Sequence, residues 1–295
     1  MAITALSLTL DAKPRRSALY LPGSNARAIE KARTLPCDVL VLDLEDSVAP
    51  EAKIAARALS GEAVRLGGFG SRELVVRVNG LDTPWGADDL AAAAEVAPDA
   101  VLVPKVSSCE DLAAYRNVLG PSTPIWVMIE TCQAILNLEA IGRASAGEGV
   151  GCWVIGTNDL VKEMRCRLGA DRAPLLPALA LSVMAARANG LTIVDGVYND
   201  IPDLQGLARE CAQGSDLGFD GKSLIHPTHL EVANRAFSPD VEALTWARTV
   251  VETFDLPENA GKGVLKVEGR MVERLHLAQA QRLISLAAAI SAREV

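Results

Sequence analysis

The sequence has few aromatic residues, no excess of positive charge and no long run of apolar residues. The last two shortages each exclude a class of protein. Aromatic residues make up 4% of the 295 residues, and the formal net charge is -8. A nucleic-acid-binding protein needs a basic face to neutralise phosphates, so we expect no nucleic acid partner. No stretch approaches the roughly 18 consecutive apolar residues of a membrane span, so we expect no membrane association.

Several motifs of common enzyme classes are also absent. The six cysteines are scattered without a C-x-x-C pair, which predicts reduced thiols rather than disulfides or a zinc site. The sequence lacks the H-E-x-x-H spacing of zinc proteases and the G-x-S-x-G turn of serine hydrolases. The N-terminal segment "MAITALSLTLDAKPRR" has no basic region before its apolar part, as a signal peptide would. These features together predict a cytoplasmic protein.

What the sequence does contain is a series of short apolar runs separated by helix-like segments rich in Ala, Leu, Glu and Arg. The runs are SALYLPG (17–23), DVLVLDLED (38–46), ELVVRVNG (73–80), AVLVPKV (100–106), PIWVMIE (124–130), CWVIGTND (152–159), LTIVDGV (191–197) and GKSLIHP (221–227). They are continuously apolar, as expected for parallel strands buried on both faces. Eight strand–helix units favour an α/β protein with a (β/α)₈ TIM barrel over a doubly wound open sheet.

The barrel accounts for only part of the chain. We predict an N-terminal tail over 1–14, the barrel over 15–236 and a helical extension over 237–295. The extension contains a Gly-rich stretch, "ENAGKGVLKVEGR", interpreted as a hinge before a final helix. It exceeds what a barrel requires, so we expect it to act as a lid or as an arm that contacts another subunit.

Two of the predicted strands end on a carboxylate. Glu130 closes the fifth run and Asp159 closes the sixth. The carboxyl ends of barrel strands converge on one face, where active sites lie, so these acids are expected to meet there. Carboxylate oxygens suit Mg²⁺ or Mn²⁺, and the pair therefore predicts a metal site. The alternative is that each acid caps the helix that follows it.

Other predicted strand ends are charged as well. They are Asp43, Glu45 and Asp46 in the second run, Lys105 in the fourth, and Lys222 and His226 in the eighth. Arg77 interrupts the apolar third run, and a buried arginine requires an acidic partner or a bound anion. Its planar guanidinium suits a carboxylate substrate. Structural ion pairs are the alternative for Lys105 and especially for Lys222.

Taken in order, these motifs resemble a known family. The segments are RRSALYLPGSN, DVLVLDLEDSVAPEAKIAAR, VVRVNGLDTPWGADDL, VPKV, IETCQAILN, GTNDL and LGFDGKSLIHPTHLEVAN. From about Arg15 to the last helix, the chain resembles the citrate lyase β-subunit-like family of CoA-ester lyases, within the HpcH/HpaI-type aldolases. The resemblance implies a Mg²⁺-dependent barrel that acts on malyl-, citramalyl- or citryl-type CoA thioesters, as a homotrimer or hexamer.

The resemblance also implies roles for individual residues. Glu130 and Asp159 match the metal ligands, and Arg77 matches the arginine that holds the substrate's carboxylate or carbonyl oxygen. Lys53 and Arg57 are candidates for binding the CoA phosphates, with a solvated helix face as the alternative. The side chains expected to surround and orient this site are Asp43, Glu45, Asp46 and Lys105.

One position departs from the family pattern. Family lyases carry an aspartate base in the C-terminal segment that reaches a neighbouring subunit's site, whereas "EGRMVERLHL" has Glu273 there and Leu275 in place of a proline. The longer side chain shifts the carboxylate, and such a displacement impairs proton transfer. This feature resembles a shorter branch of the family that includes (3S)-malyl-CoA thioesterases.

Four functions follow from these observations. The first is reverse Claisen cleavage of a 3-hydroxyacyl-CoA, with Arg77 and Glu273 as catalytic residues. The second is hydrolysis of the same thioester to malate and CoA. The third is a non-catalytic subunit of a citrate lyase complex, which the intact set of Glu130, Asp159 and Arg77 argues against. The fourth is an aldolase acting on free pyruvate, which would need no CoA site.

Overall fold

The structure, a computed structural model, describes residues 13–293. Most of the N-terminal tail predicted over 1–14 therefore lies outside the described residues. The predicted barrel is confirmed, because eight parallel strands form a closed sheet in sequence order. The strands are β1 (Ser17–Pro22), β2 (Val39–Asp43), β3 (Glu73–Arg77), β4 (Ala100–Val103), β5 (Ile125–Ile129), β6 (Val150–Ile155), β7 (Thr192–Asp195) and β8 (Gly221–Leu224). β1 pairs with both β2 and β8, which excludes an open doubly wound sheet.

Helices connect the strands and cover the outside of the barrel. They are α1 (Ala26–Ala32), α2 (Lys53–Leu66), α3 (Gly86–Val96), α4 (Cys109–Leu119), α5 (Cys132–Leu136), α6 (Leu138–Gly147), α7 (Thr157–Met164), α8 (Leu176–Ala188), α9 (Leu204–Leu217) and α10 (Leu230–Ala236). Side-chain caps fix several of their starts: the Ser108 hydroxyl accepts the Asp111 N–H before α4, and the Asp203 carboxylate accepts the Gly206 N–H before α9. Across residues 13–293, no helix is long and apolar enough to cross a membrane.

Strand side chains alternate between two hydrophobic clusters. On β5, Ile125, Val127 and Ile129 belong to the large cluster that contains the helix residues. Trp126 and Met128 belong to a smaller cluster made of strand residues alone, which fills the barrel. The same alternation holds on the neighbouring strands, because successive side chains point to opposite faces of a sheet. It decides which strand-end residues face the barrel axis.

Arg15–Phe237 form one compact unit, and the chain from Ser238 onward forms a second. The second unit contains α11 (Val241–Asp255), β9 (Val264–Val267), β10 (Arg270–Glu273) and α12 (Arg274–Ser291). The stretch interpreted as a hinge is therefore largely an antiparallel hairpin. Glu268 and Gly269 both have positive φ at its turn, which matches the twist that two-residue hairpin turns require.

The second unit has a hydrophobic core of its own. Alternate hairpin residues, Leu265, Val267 and Val272, are buried together with Val250 and Phe254 of α11. The alternation of buried and exposed positions is typical of a sheet with one solvated face. The C-terminal extension therefore has its own buried hydrophobic core and is a folded unit rather than a flexible linker.

Candidate functional site

The alternation of the strands directs three charged residues toward the barrel axis. Asp43 ends β2 and Arg77 ends β3, and the two are direct neighbours in the parallel register. Glu130 follows β5 in the same inward phase as Met128. All three are buried, at 0%, 7% and 1% exposure respectively. Charged side chains at this depth require partners, and each of them has one.

Glu130 lies deepest among the predicted metal ligands. Its Oε1 accepts a hydrogen bond of 2.9 Å from the Lys105 backbone N–H. Gly156 allows this close packing, because a Cβ on that residue would lie 2.5 Å from Glu130 Oε2. Burial raises the pKa of the Glu130 carboxyl, and the nearby Lys105 charge opposes that shift. The alternative role as a helix cap does not apply, since the Thr131 hydroxyl caps α5.

Asp159 lies near Glu130, as predicted, but it is carried by a helix and not by the end of a strand. β6 ends at Ile155, and Asp159 belongs to the first turn of α7 rather than to the strand. Its Oδ2 lies 2.7 Å from Lys105 Nζ, and Glu130 Oε1 lies 3.4 Å from the same nitrogen. The Lys105 ammonium therefore contacts both predicted metal ligands. Lys105 adopts a left-handed φ of 55°, a conformation that is uncommon for residues other than glycine.

Arg77 is held by carboxylates on the other side of the site. Its Nε and Nη2 donate to the two Asp43 oxygens at 2.6 and 2.7 Å, and its Nη1 lies 2.8 Å from Glu45 Oε2. The exposed Asp46 is more distant, at 3.6 Å. Although burial opposes ionisation, the Arg77 charge keeps the pKa of Asp43 below its usual value.

Glu45 behaves differently from Asp43. Burial raises the pKa of its carboxyl to about 8, despite the ion-pair distance to Arg77, and the neighbouring Glu130 and Asp46 charges act in the same direction. The Arg77 charge is already matched by the two-point contact with Asp43, so a second buried carboxylate gains less from it. Asp43 is therefore the principal anionic partner of Arg77.

These groups surround a cavity of about 260 Å³ at the carboxyl ends of the strands. It is lined by Tyr20, Asp43, Asp46, Ser47, Arg77, Met128, Glu130, Ile155, Gly156, Thr157, Asn158, Asp159, Val197, Ser223 and Ile225. Tyr20, Met128 and Ser223 were not among the site residues predicted from the sequence. Every second side chain of β1, β5 and β8 points toward the barrel axis, and this alternation could have identified these three residues as cavity residues. The sequence-based prediction considered only charged residues at the ends of the apolar runs.

The two candidates for the CoA phosphates do not line this cavity. Lys53 is 6% exposed, and its Nζ donates to the Leu44 and Glu45 carbonyl oxygens, both at 2.9 Å. Arg57 forms ion pairs with Asp88 and Asp89 of α3. Both side chains therefore stabilise the connections around β2, and a role in binding CoA stays a prediction.

Glu273 lies in the second compact unit, at the end of β10. It is the N-cap of α12, where its carboxylate accepts a backbone N–H and its own N–H donates to His276 Nδ1 at 3.0 Å. This reciprocal arrangement stabilises the start of a helix. Its predicted catalytic role stays a prediction.

Lys222 confirms the structural alternative. It is fully buried, and its Nζ contacts Asp195 Oδ2 at 3.0 Å and Glu210 Oε1 at 2.7 Å. Arg172 joins the cluster through both Asp195 oxygens, at 2.9 and 3.0 Å. Lys222 also donates to the Gly196 carbonyl oxygen at 2.6 Å, directly before the cavity residue Val197. This ion cluster holds the ends of β7 and β8 together behind the site.

The chain is similar in sequence and in fold to proteins of one family. The chain is 48% identical over 282 residues to a (3S)-malyl-CoA thioesterase of Cereibacter sphaeroides (strain KD131), covering 96% of this chain and 98% of that protein. It is 32% identical over 292 residues to the citrate lyase subunit beta of Escherichia coli (strain K12), covering 96% of each. The crystal structure of CitE from Mycobacterium tuberculosis, in complex with magnesium, acetoacetate and coenzyme A, superposes with a TM-score of 0.77 at 27% identity, covering 94% of this chain and 99% of that one. The model of the HpcH/HpaI aldolase/citrate lyase family matches residues 16–227, and the chain belongs to that family.

Proposed function

We propose that this protein is a Mg²⁺-dependent enzyme that hydrolyses a malyl-type CoA thioester to the hydroxy acid and CoA. The observation that carries the proposal is the pair Glu130 and Asp159, which face one cavity together with Arg77. The 48% identity to a (3S)-malyl-CoA thioesterase, over nearly the whole of both chains, supports this choice of substrate and reaction.

The donor set fits a magnesium ion. Glu130 and Asp159 are hard oxygen donors close enough to share the Lys105 ammonium, so the position already attracts a positive charge. Among residues 13–293, no group of three or more acidic, His or Cys side chains forms a metal site. Mg²⁺ commonly takes only one or two carboxylates and completes its octahedron with water and substrate oxygens. When bound, the metal would polarise a substrate oxygen.

The surrounding residues supply charge and orientation. Arg77, fixed by Asp43 and Glu45, presents a permanent positive charge to a substrate carboxylate or to a carbonyl oxygen that gains negative charge. Because Asp43 occupies two of its nitrogens, the guanidinium cannot rotate freely and is preorganised.

Carbon–carbon cleavage, the first function predicted from the sequence, is the second candidate. It is supported by the 32% identity to a citrate lyase subunit beta and by the fold shared with CitE. Hydrolysis requires a base that takes a proton from the attacking water, whereas cleavage requires a base that takes the proton of the substrate hydroxyl. Glu273 at the position of the family's aspartate favours hydrolysis, because the longer side chain displaces the base. Trimeric or hexameric assembly, predicted by the resemblance, belongs to the proposal in either case.

Product analysis tests the proposal. Purified protein is incubated with (3S)-malyl-CoA and Mg²⁺, with an identical sample in excess EDTA as control, and the products are identified by mass spectrometry. We expect malate and free CoA in the Mg²⁺ sample alone. Glyoxylate and acetyl-CoA would instead support the cleavage reaction. Absence of turnover, or turnover unaffected by EDTA, would contradict the metal-dependent enzyme.

The proposal makes a prediction for Lys105. Its ammonium contacts the same oxygens that the metal would bind, so the two cations compete. Lys105→Met is expected to tighten Mg²⁺ binding by up to about five-fold, because a partly exposed ion pair contributes about 0.2–1 kcal/mol and each 1.4 kcal/mol is ten-fold. Isothermal titration calorimetry measures this without turnover. Lys31→Met, at an exposed position on α1, serves as the control and should bind Mg²⁺ as the unsubstituted protein does. Weaker binding in Lys105→Met would mean that Lys105 organises the carboxylates rather than competing for them.

A further inference from the structure

The first turn of α7 lies against the loop that follows β7. Gly196 is the first residue of that loop. A Cβ atom on Gly196 would lie 2.5 Å from both Thr157 Oγ1 and Thr157 Cγ2, and 3.0 Å from the Ile155 carbonyl oxygen. Carbon atoms in contact lie about 3.5–4.0 Å apart, so no side chain fits between Gly196 and Thr157 as they stand.

The backbone conformation of Gly196 does not itself require a glycine. Gly196 is not among the residues with a positive φ, where other amino acids are strained. The feature that excludes a side chain is therefore the close approach of α7. For the same reason, alanine at this position would test that contact without adding backbone strain.

Both polar groups of the Gly196 backbone are held in place. Its N–H donates to Asp195 Oδ1 at 2.8 Å, and its carbonyl oxygen accepts from Lys222 Nζ at 2.6 Å. Asp195 and Lys222 are both fully buried. Because buried charges fix this part of the loop, a side chain added at Gly196 would displace Thr157 and the start of α7 rather than the loop.

Glu130 confines the start of α7 on its other side. β6, which leads into α7, lies between β5 and β7 in the barrel. Gly156, the residue before the helix, packs on Glu130 so closely that a Cβ would lie 2.5 Å from Glu130 Oε2. Asp159 belongs to the first turn of this helix, two residues after Thr157. The position of its carboxylate relative to Glu130 therefore depends on both contacts.

We infer that Gly196 is a positioning residue for the metal site: the absence of a side chain there sets where α7 begins and thereby the separation of Asp159 from Glu130. The inference deepens the proposed function and rests on it for the assignment of these two acids as metal ligands. Gly196 does not line the cavity and acts through Thr157. Mg²⁺ demands near-ideal octahedral geometry, so a small displacement of one ligand lowers its affinity.

Calorimetric titration with Mg²⁺ alone tests the inference without turnover. Gly196→Ala is expected to weaken Mg²⁺ binding by about ten-fold, as an overpacked contact implies. Thr157→Ser keeps the hydroxyl group, removes the methyl group that faces Gly196 and introduces no clash. It loosens the same contact, and we expect it to weaken binding by about three-fold.

The double variant Gly196→Ala with Thr157→Ser provides a rescue. It moves one methyl group from one side of the contact to the other and conserves the packed volume, which is the kind of change that protein interiors tolerate best. The serine hydroxyl can rotate away from the new methyl group. We expect the double variant to bind Mg²⁺ within about two-fold of the unsubstituted protein.

Gly142→Ala is the matched control. Gly142 is a buried glycine of α6, where a Cβ would meet Asn189 and Trp153 rather than α7. The variant makes the same chemical change at another crowded position. It should leave Mg²⁺ affinity unchanged whatever its effect on the melting temperature, which is measured for every variant.

Several outcomes would overturn the inference. One is that Gly196→Ala binds Mg²⁺ as tightly as the unsubstituted protein, and another is that the double variant binds no better than Gly196→Ala. Unchanged affinity in Thr157→Ser would overturn it as well, including where Gly196→Ala does not fold, and so would an equal loss of affinity in Gly142→Ala.

The result also separates the inference from the proposed function. A protein that binds Mg²⁺ and depends on Gly196 for its affinity, but does not turn over malyl-CoA, would retain the inference and contradict the proposed reaction. A protein that turns over malyl-CoA with Mg²⁺, and binds the ion equally well in all variants, would retain the proposed function and overturn the inference. Absence of Mg²⁺ binding by the unsubstituted protein would contradict both.

Discussion

Replacing Glu130 by glutamine is expected to lower kcat/KM for the CoA thioester by about a thousand-fold or more. Glutamine has the same size as glutamate but is neutral, so the substitution removes one of the two anionic metal ligands. Metal-ion catalysis lowers the activation free energy by several kcal/mol, and each 1.36 kcal/mol corresponds to a ten-fold change in rate. Calorimetry should show a parallel loss of Mg²⁺ affinity. The fold should be retained, because Glu130 is buried with a raised pKa and an amide oxygen can still accept from the Lys105 N–H.

A matched substitution separates this effect from a general loss of acidic charge. Glu139 lies on the exposed face of α6, where it pairs with Arg143 at the surface. Glu139→Gln makes the same chemical change and should leave both Mg²⁺ affinity and kcat/KM unaltered, since exposed ion pairs contribute little. If Glu130→Gln retains metal-dependent turnover within about ten-fold of the unsubstituted protein, the assignment of Glu130 as a ligand is wrong.

The barrel and part of its site could be predicted from the sequence because parallel strands buried on both faces leave continuous apolar runs. A charge that ends such a run, as Glu130 does, faces the mouth of the barrel. Arg77 was identifiable for the same reason, since a cation in an apolar strand requires a partner. That partner is Asp43, the neighbouring residue in the strand register.

The other features of the site and of the C-terminal unit depend on three-dimensional packing, which the pattern of apolar and charged residues in the sequence does not reveal. Asp159 reaches the site from the first turn of α7, because Gly156 ends the strand earlier than the apolar run suggests. The direction of a long side chain such as Lys53, which turns back to two backbone carbonyls, is decided by packing and not by its position on α2. The hairpin of β9 and β10 was obscured by its glycines, although Leu265 and Val267 alternate with exposed residues as strand residues do.

Replacing Lys222 by methionine is expected to destabilise the barrel by about 3–5 kcal/mol, the range found when one partner of a buried ion pair is removed. The two acids, Asp195 and Glu210, would then face Arg172 alone and leave one negative charge uncompensated in the interior. Methionine preserves most of the side-chain volume, so the loss would be electrostatic rather than a packing defect. Denaturation in urea, followed by circular dichroism, measures the free energy of unfolding.

A second variant decides whether charge balance is the cause. Glu210→Gln, added to Lys222→Met, removes the excess negative charge and should recover part of the lost stability, which a double-mutant cycle reports as a coupling energy. Lys31→Met, the exposed control on α1, should change the free energy of unfolding by no more than about 0.5 kcal/mol. Equal stability of Lys222→Met and the unsubstituted protein would show that the cluster does not stabilise the barrel. In that case the hydrogen bond from Lys222 to the Gly196 carbonyl oxygen would not be what positions the backbone next to the cavity residue Val197.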